Sequence, residues 1–468
     1  MNRKLLYLVL AVLLVGLPYP AQASGGGVVK QILTNALGGA LFKDQNLSKN
    51  GNQSCMSCHH PSAAFADPDN KADPADSPVS DGSDETLFGG RNAPTAAYAG
   101  FSPVLHWDGE LFIGGMFWDG RASGLVSSDT AGLGAGPTYD PLADQAKGPF
   151  LNPVEMAMAD ETAVVDAVRR SNYAWLFNLV YPGVLNDDSK IDEAYNNIAK
   201  AIAAFERSML VNRFNSKFDK FLKEQGGDIS KFGIEEIMDE NGEVVFRKYI
   251  GPPGGRKFKS KYFSYKEADG LALFNADSEV QLGIGSGENV GAMCYLCHIT
   301  ERHDVTQYGD LSIQRPNPLR ADGTYPPIFT DFSYDNLGLP KNPRIADLAG
   351  PQGIDFGLGA ESRLDELRSA AKTAGHRYPK GQIFKNERGK FKVSSLRNVG
   401  ATAPYGHNGV FATLEEIVNF YNTRDVANPP FAAPEVSATV NDGELGNLGL
   451  SSGQEDKIVA FLKTLSDQ

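Results

Sequence analysis

Cysteine is scarce in this chain: 468 residues carry only four, and all four fall into two Cys-x-x-Cys pairs. A chain of this length can bury substantial cores without cross-links, so the cysteines are not needed as disulfides for folding. Long apolar runs are also few. Residues 5–17 form one near the start, shorter than the ~20 residues that a spanning helix needs. It follows Arg3 and Lys4 and precedes the small residues Ala21 and Ala23. That layout predicts a secretory signal peptide over 1–23, cleaved before Ser24, and so a soluble, exported protein with a periplasmic location and no membrane span. Positive charge is short too, with 44 Lys and Arg against 57 Asp and Glu, a net charge of −13. Removing 1–23 takes away Arg3 and Lys4 and no acid, leaving −15. Nucleic acid is excluded as a partner, because its binding depends on neutralising phosphates. A neutral or basic protein partner is compatible with the charge.

What the chain has is chemistry packed into those four cysteines. The stretches "SCMSCHH" and "MCYLCH" both read Cys-x-x-Cys-His. In that pattern two thiols add across the vinyl groups of a haem and the adjacent imidazole binds its iron. Cys55, Cys58 and His59 would hold one c-type haem, and Cys294, Cys297 and His298 a second. A redox dithiol or two halves of one zinc site are the competing uses, but neither needs a histidine directly after each pair.

The organisation repeats. Each motif follows a helical segment carrying G-x-A-L-F, at residues 38–42 and 270–274, and then a loop. Two such halves predict two cytochrome-like domains in tandem, 24–262 and 263–468. Between the motifs, residues 160–224 carry helical periodicity, with an apolar stripe at Ile198, Ile202, Phe205 and Leu210. Residues 225–262 look like an insertion, with an Asn-Gly turn between two strand-like runs and then "GPPGG".

Set beside "RNAPT", "FWDGRASGL", "QAKGPFLNPVEMAM", "FKVSSLRNVGATAPYGHNGVFATLEEIVNFYN" and "EDKIVAFLKTL", the two motifs resemble the bacterial dihaem cytochrome c peroxidase and MauG superfamily. The resemblance runs in order from about residue 35 to 465, with extra sequence at 122–144, 225–262 and 304–375. It implies an all-α fold, two tandem cytochrome c-like haem domains with a helical connection and loop insertions. It also implies a peroxide-reactive first haem, an electron-handling second haem, a calcium ion between them and a tryptophan relay.

Several residues acquire roles through that resemblance. Glu155 matches the family's proton-moving glutamate above the first haem, with Gln145 and Pro149 as its neighbours. The competing reading of "NPVE" is a helix start, Asn152 as N-cap and Glu155 closing a capping box. Ordinary members cap the resting first haem with a histidine from the following loop, but no histidine stands between His60 and His106 here, so that haem is expected to be open. His60 itself is expected to be solvated or to lie behind the ligand. Ordinary members close the second haem with methionine, yet the last of the eight methionines is Met293. The family position, fourteen residues after His407, holds Tyr421, which is the MauG arrangement. A phenolate stabilises ferric and higher states, unlike methionine sulfur. His303 and His376 are rival ligands. Trp118 matches the tryptophan between the haems, and Asn92, Thr402 and Pro404 match the calcium ligands.

The function expected is therefore a hydrogen peroxide-dependent dihaem oxidoreductase that oxidises a protein partner or residue at a distance. Alternatives are a cytochrome c peroxidase that detoxifies peroxide with electrons from a small cytochrome or cupredoxin, and a dihaem electron carrier with no peroxide chemistry. A related oxygenase acting on hydrocarbon polymer also uses two such motifs.

Overall fold

The computed structural model describes residues 25–125, 140–285, 287–301, 303–304, 324–373 and 383–468. The described chain is mostly helical, with four two-stranded antiparallel sheets. The all-α expectation therefore holds for the segments around the cysteine motifs and not for the connecting loops.

Each G-x-A-L-F segment ends a helix that crosses a second helix of the same half. Gly25–Leu41 packs on Ile191–Glu206, and Tyr265–Phe274 packs on Ser452–Leu462. Glycine makes both crossings possible: a Cβ on Gly38 would lie 1.8 Å from the Ala201 carbonyl oxygen, and one on Gly270 would lie 1.9 Å from that of Lys457. Four residues on, Phe42 meets Phe205 at 5.1 Å between ring centroids and Phe274 meets Phe461 at 5.2 Å. The sequence repeat is thus a repeat of packing.

Two hydrophobic cores surround these crossings. The first draws on residues 37–211, including Phe42, Phe150, Ile198 and Phe205, and also takes in Ile328 and Phe332. The second runs from Phe218 to Leu465 and includes Phe274, Phe420 and Phe461. Phe218, Phe221 and Leu222, expected with the first half, pack in the second core. Of the predicted stripe, Ile198, Ile202 and Phe205 are buried, whereas Leu210 lies beyond the end of its helix and is exposed. A third small cluster joins Leu105 and Phe112 to Tyr334, Leu358 and Leu367, so part of the 304–375 insertion packs on the loop that leads to Trp118. The Asn-Gly hairpin is present: Ile234–Met238 pairs antiparallel with Val244–Tyr249, and Gly242 supplies a φ of 82° in the turn.

Candidate functional site

The two Cys-x-x-Cys-His segments are built alike. Each begins with a short helical turn, Cys55–Cys58 or Cys294–Leu296, and in each the histidine N–H donates to the carbonyl of the first cysteine, at 2.9 Å for both His59 and His298. The imidazole Nδ1 then faces a phenylalanine carbonyl, Phe65 O at 3.1 Å for His59 and Phe329 O at 2.9 Å for His298. A carbonyl can only accept, so Nδ1 carries the proton and the Nε2 lone pair is free for a metal. Both phenylalanines sit in the left-handed region, at φ 63° and 58°, which bulky residues seldom enter. Hydroxyls hold the carbonyls just before them: Thr95 donates to Ala64 O and Ser395 donates to Ile328 O, each at 2.6 Å. Backbone N–H groups of Ala96 and Leu396 reach the phenylalanine carbonyls at 2.9 and 3.3 Å.

Burial lowers both histidine pKa values, that of His298 to about 4, so each ring is neutral and able to bind metal. Burial pushes the Cys55 and Cys294 thiols up to about 12, the opposite of the depressed values that mark reactive thiols. All four cysteines are free. Among the described residues the two motifs do not converge on one another; the grouping of metal-ligand type, Cys297 with Asp335 and Glu444, draws on the second motif alone. Two thiols and one neutral imidazole per motif, held rigidly, fit the donor set of a c-type haem.

Cys294, Cys297, His298 and Tyr421 line one cavity, which extends to Asn92 and Trp118. Its walls are mostly apolar, with Phe274, Ile417, Val418 and Leu462 among them. Tyr421 is carried by the helix Leu414–Thr423, started by a capping box between Thr413 and Glu416. Among the described residues its hydroxyl has no hydrogen-bond partner, and burial with the nearby cysteines raises its pKa. His407 is buried, stacked on Phe391 at 3.4 Å, and its pKa is pushed down to about 3 by desolvation. Of the rival ligands, His303 stands in the short strand His303–Asp304 and His376 lies outside the described residues.

Gln145 and Pro149 lie one turn apart on the helix Pro141–Leu151 and are half-buried, while Ala146 and Phe150 turn into the core. Pro149 has no N–H and cannot bond the Gln145 carbonyl one turn earlier. The helix start that competed for Asn152 is absent. Asn152 instead ends the preceding helix, residues 153–156 form a turn, and the next helix begins at Glu161 with Asp160 as its cap. Glu155 is therefore no capping residue: its Oε1 accepts from the Asn152 side-chain amide at 2.7 Å. The Met156 N–H donates to Pro149 O at 3.1 Å, which sets the glutamate's turn against the proline. Burial raises the Glu155 pKa, and the Arg121 charge opposes that shift without cancelling it. His60 keeps to its own turn, with Nδ1 2.7 Å from Ser62 Oγ.

Trp118 donates its indole N–H to Asn92 O at 2.8 Å. Asn92 in turn donates its amide to Pro404 O at 2.7 Å and its backbone N–H to His407 O at 2.9 Å, so one residue ties the tryptophan to the loop before Tyr421. Thr402 lines the same cavity. Sequence reasoning missed what holds this junction. Asp119 accepts from Arg91 at 2.8 Å and from Arg121 at 2.9 Å. Arg91 also grips Asp355 with two bonds of 2.7 and 2.8 Å, and Arg363 bonds the Asp119 carbonyl. These three cations hold the Asp119 carboxyl well below its usual range. Lys392 is a second omission: its ammonium bonds Ser102 Oγ and Gly115 O, both at 2.5 Å, and burial drops its pKa to about 7.

Comparison with known proteins agrees with this construction. Residues 34–227 match the family described as di-haem cytochrome c peroxidase. Methylamine utilization protein MauG of Paracoccus denitrificans is 31% identical over 92% of this chain and 88% of its own length. Cytochrome c551 peroxidase of Nitrosomonas europaea is 26% identical over 92% of this chain and 79% of its own. The crystal structure of the diheme peroxidase BthA from Burkholderia thailandensis superposes with a TM-score of 0.61 at 24% identity, covering 93% of this chain and 86% of that one. With its two haem-binding motifs and this end-to-end similarity, the chain belongs to the di-haem cytochrome c peroxidase and MauG family.

Proposed function

We propose that this protein is a hydrogen peroxide-dependent dihaem oxidoreductase of the MauG kind, which withdraws electrons from a partner protein at a distance. The observation that carries the reading is Tyr421, whose free hydroxyl shares a cavity with Cys294, Cys297 and His298 in a half that has no methionine after Met293. When bound, the haems supply an iron at which peroxide is cleaved and a second iron that shares the resulting oxidising equivalents.

The chain's own residues perform the rest. Glu155, half-buried and anchored by Asn152, takes a proton from one peroxide oxygen and returns it to the other. Gln145 and Pro149 shape the space beside it. Trp118 lies on the route between the halves, held by Asn92 and by the Asp119 ion pairs. Tyr421 as phenolate disfavours storage of one reducing electron at the second site. Calcium would be held by the Asn92 side-chain oxygen and the carbonyls of Thr402 and Pro404. That requires the Asn92 amide to turn its oxygen toward Pro404, with water completing the shell. The two cores support a reading as two cytochrome-like halves, and the packing of Phe218, Phe221 and Leu222 in the second core favours a boundary ahead of the insertion at 225–262. Export to the periplasm suits covalent haem attachment; residues 1–23 lie outside the described chain, and no described helix is long and apolar enough to cross a membrane.

The test is to add hydrogen peroxide to the fully ferric protein without prior reduction and follow its visible spectrum. A rapid change is expected. A protein that responds only after receiving one electron would instead be an ordinary peroxidase, and one that never responds would be an electron carrier.

A further inference from the structure

We propose that the tip of the hairpin formed by Ile234–Met238 and Val244–Tyr249 is the docking surface for the partner protein, one presenting an apolar patch ringed by lysine and arginine. The inference rests on the proposed oxidation of a partner protein and says where that partner binds.

One face of the hairpin is anchored. Ile234, opposite Tyr249, is buried, and Arg247, opposite Glu236, lays its guanidinium 4.2 Å above the Tyr295 ring. The Arg247 backbone fixes the contact from both sides. Its N–H donates to Asp277 Oδ2 at 2.6 Å, and its carbonyl accepts from the Asp277 N–H at 2.9 Å. Tyr295 stands between Cys294 and Cys297, and its hydroxyl donates to Asp277 Oδ1 at 2.7 Å. The hairpin is thereby clamped to the very turn that carries the second haem's thioether cysteines. A partner seated here would dock on an element tied to the turn that would hold the second haem.

Toward its tip the hairpin stands open to solvent. Ile237, cross-strand from Phe246, is 40% exposed, and Met238, Val244 and Val245 around the tip are 47%, 42% and 57% exposed. Single exposed apolar residues are ordinary, but four gathered at one end of a two-stranded ribbon, on both sides of its bulge, are of the sort that marks an interface. Charge selects the occupant. Residues 237–246 carry three acids, Asp239, Glu240 and Glu243, and no base, while Glu236 nearer the core pairs with Lys231 and Arg247, and the whole chain is at −13. A second copy would bring like charge against like, whereas a basic rim would be drawn in.

The experiment compares the full dihaem protein with an Ile237→Glu/Val245→Glu double variant, using a small basic cytochrome c as the probe. Calorimetric titration with oxidised cytochrome c at low ionic strength reads docking alone. Peroxide-driven oxidation of reduced cytochrome c, and of a small organic dye, reads turnover. The expected result is about tenfold weaker binding and a similarly raised KM for cytochrome c, with dye oxidation unchanged. Unchanged binding by the double variant overturns the proposal. So does an equal loss caused by Trp175→Glu, which alters an exposed aromatic of the first half. A wild-type dimer that the double variant dissociates would assign the face to a second copy and overturn it as well. Failure of peroxide turnover with both reductants would count against the proposed activity, while the titration would still decide the docking site.

Discussion

Replacing Gly270 by alanine probes the helix crossing that frames the second haem site. An added Cβ would stand 1.9 Å from the Lys457 carbonyl oxygen and 2.5 Å from its carbon, about 1.5 Å inside ordinary contact. Those are backbone atoms of a packed helix, so relief requires the helices Tyr265–Phe274 and Ser452–Leu462 to separate. Overpacking of this kind costs about 3 kcal/mol. Alanine's better helix propensity returns about 1 kcal/mol, leaving a net loss of about 2 kcal/mol. For a unit of this half's size that corresponds to a fall in Tm of roughly 4–8 °C. Thermal unfolding, followed through the haem absorption, should show the loss in Gly270→Ala and in its counterpart Gly38→Ala. Gly39→Ala is the control, since its Cβ would meet only the Phe205 ring, at 3.1 Å, and should be near neutral. If Gly270→Ala matched Gly39→Ala, glycine would not set the closeness of the crossing and the repeated packing would lose its explanation.

Glu155→Gln should slow the reaction with peroxide by about 10²–10⁴-fold. Because burial raises the Glu155 pKa, the carboxylate takes up its proton above the usual range as pH falls; the wild-type rate should drop on that limb, and the glutamine variant should lack it. Glu206, buried with an Oε2 that has no hydrogen-bond partner among the described residues, has its pKa raised by burial from 4.5 to about 8. Unfolded protein loses that proton near pH 4.5 and folded protein does not, so stability drains as pH rises toward 8. The stability gap between Glu206→Gln and wild type should widen in the variant's favour by about 3 kcal/mol from pH 4.5 to 7, measured by urea unfolding.

The features that sequence reading reached are local. The Cys-x-x-Cys-His spacing, the G-x-A-L-F helices and the Asn-Gly turn each lie within a few residues, and each forms as its pattern requires. Features that depend on distant pairing stayed hidden. The carbonyl that orients His59 is 6 residues away, but the one that orients His298 is 31 residues away, across an insertion. Asp355 reaches Arg91 over a sequence separation of 264 and Arg363 reaches the Asp119 carbonyl over 244, which no periodicity announces. The competing helix start in "NPVE" fails for a different reason. Its residue types suit a helix N-terminus, but the preceding helix runs on to Leu151, so Asn152 serves as its end and its amide turns to Glu155. Loss of the apolar stripe at Leu210 is the same effect at a helix that stops sooner than its pattern.

The most direct measurement is resonance Raman spectroscopy of the ferric protein, prepared with ordinary and with isotopically labelled tyrosine. If Tyr421 closes the second haem, bands of an iron-bound phenolate will move with the label and vanish in Tyr421→Phe. Spectra that ignore the label and match a sulfur- or nitrogen-bound haem would contradict the assignment, and with it the case for oxidation at a distance.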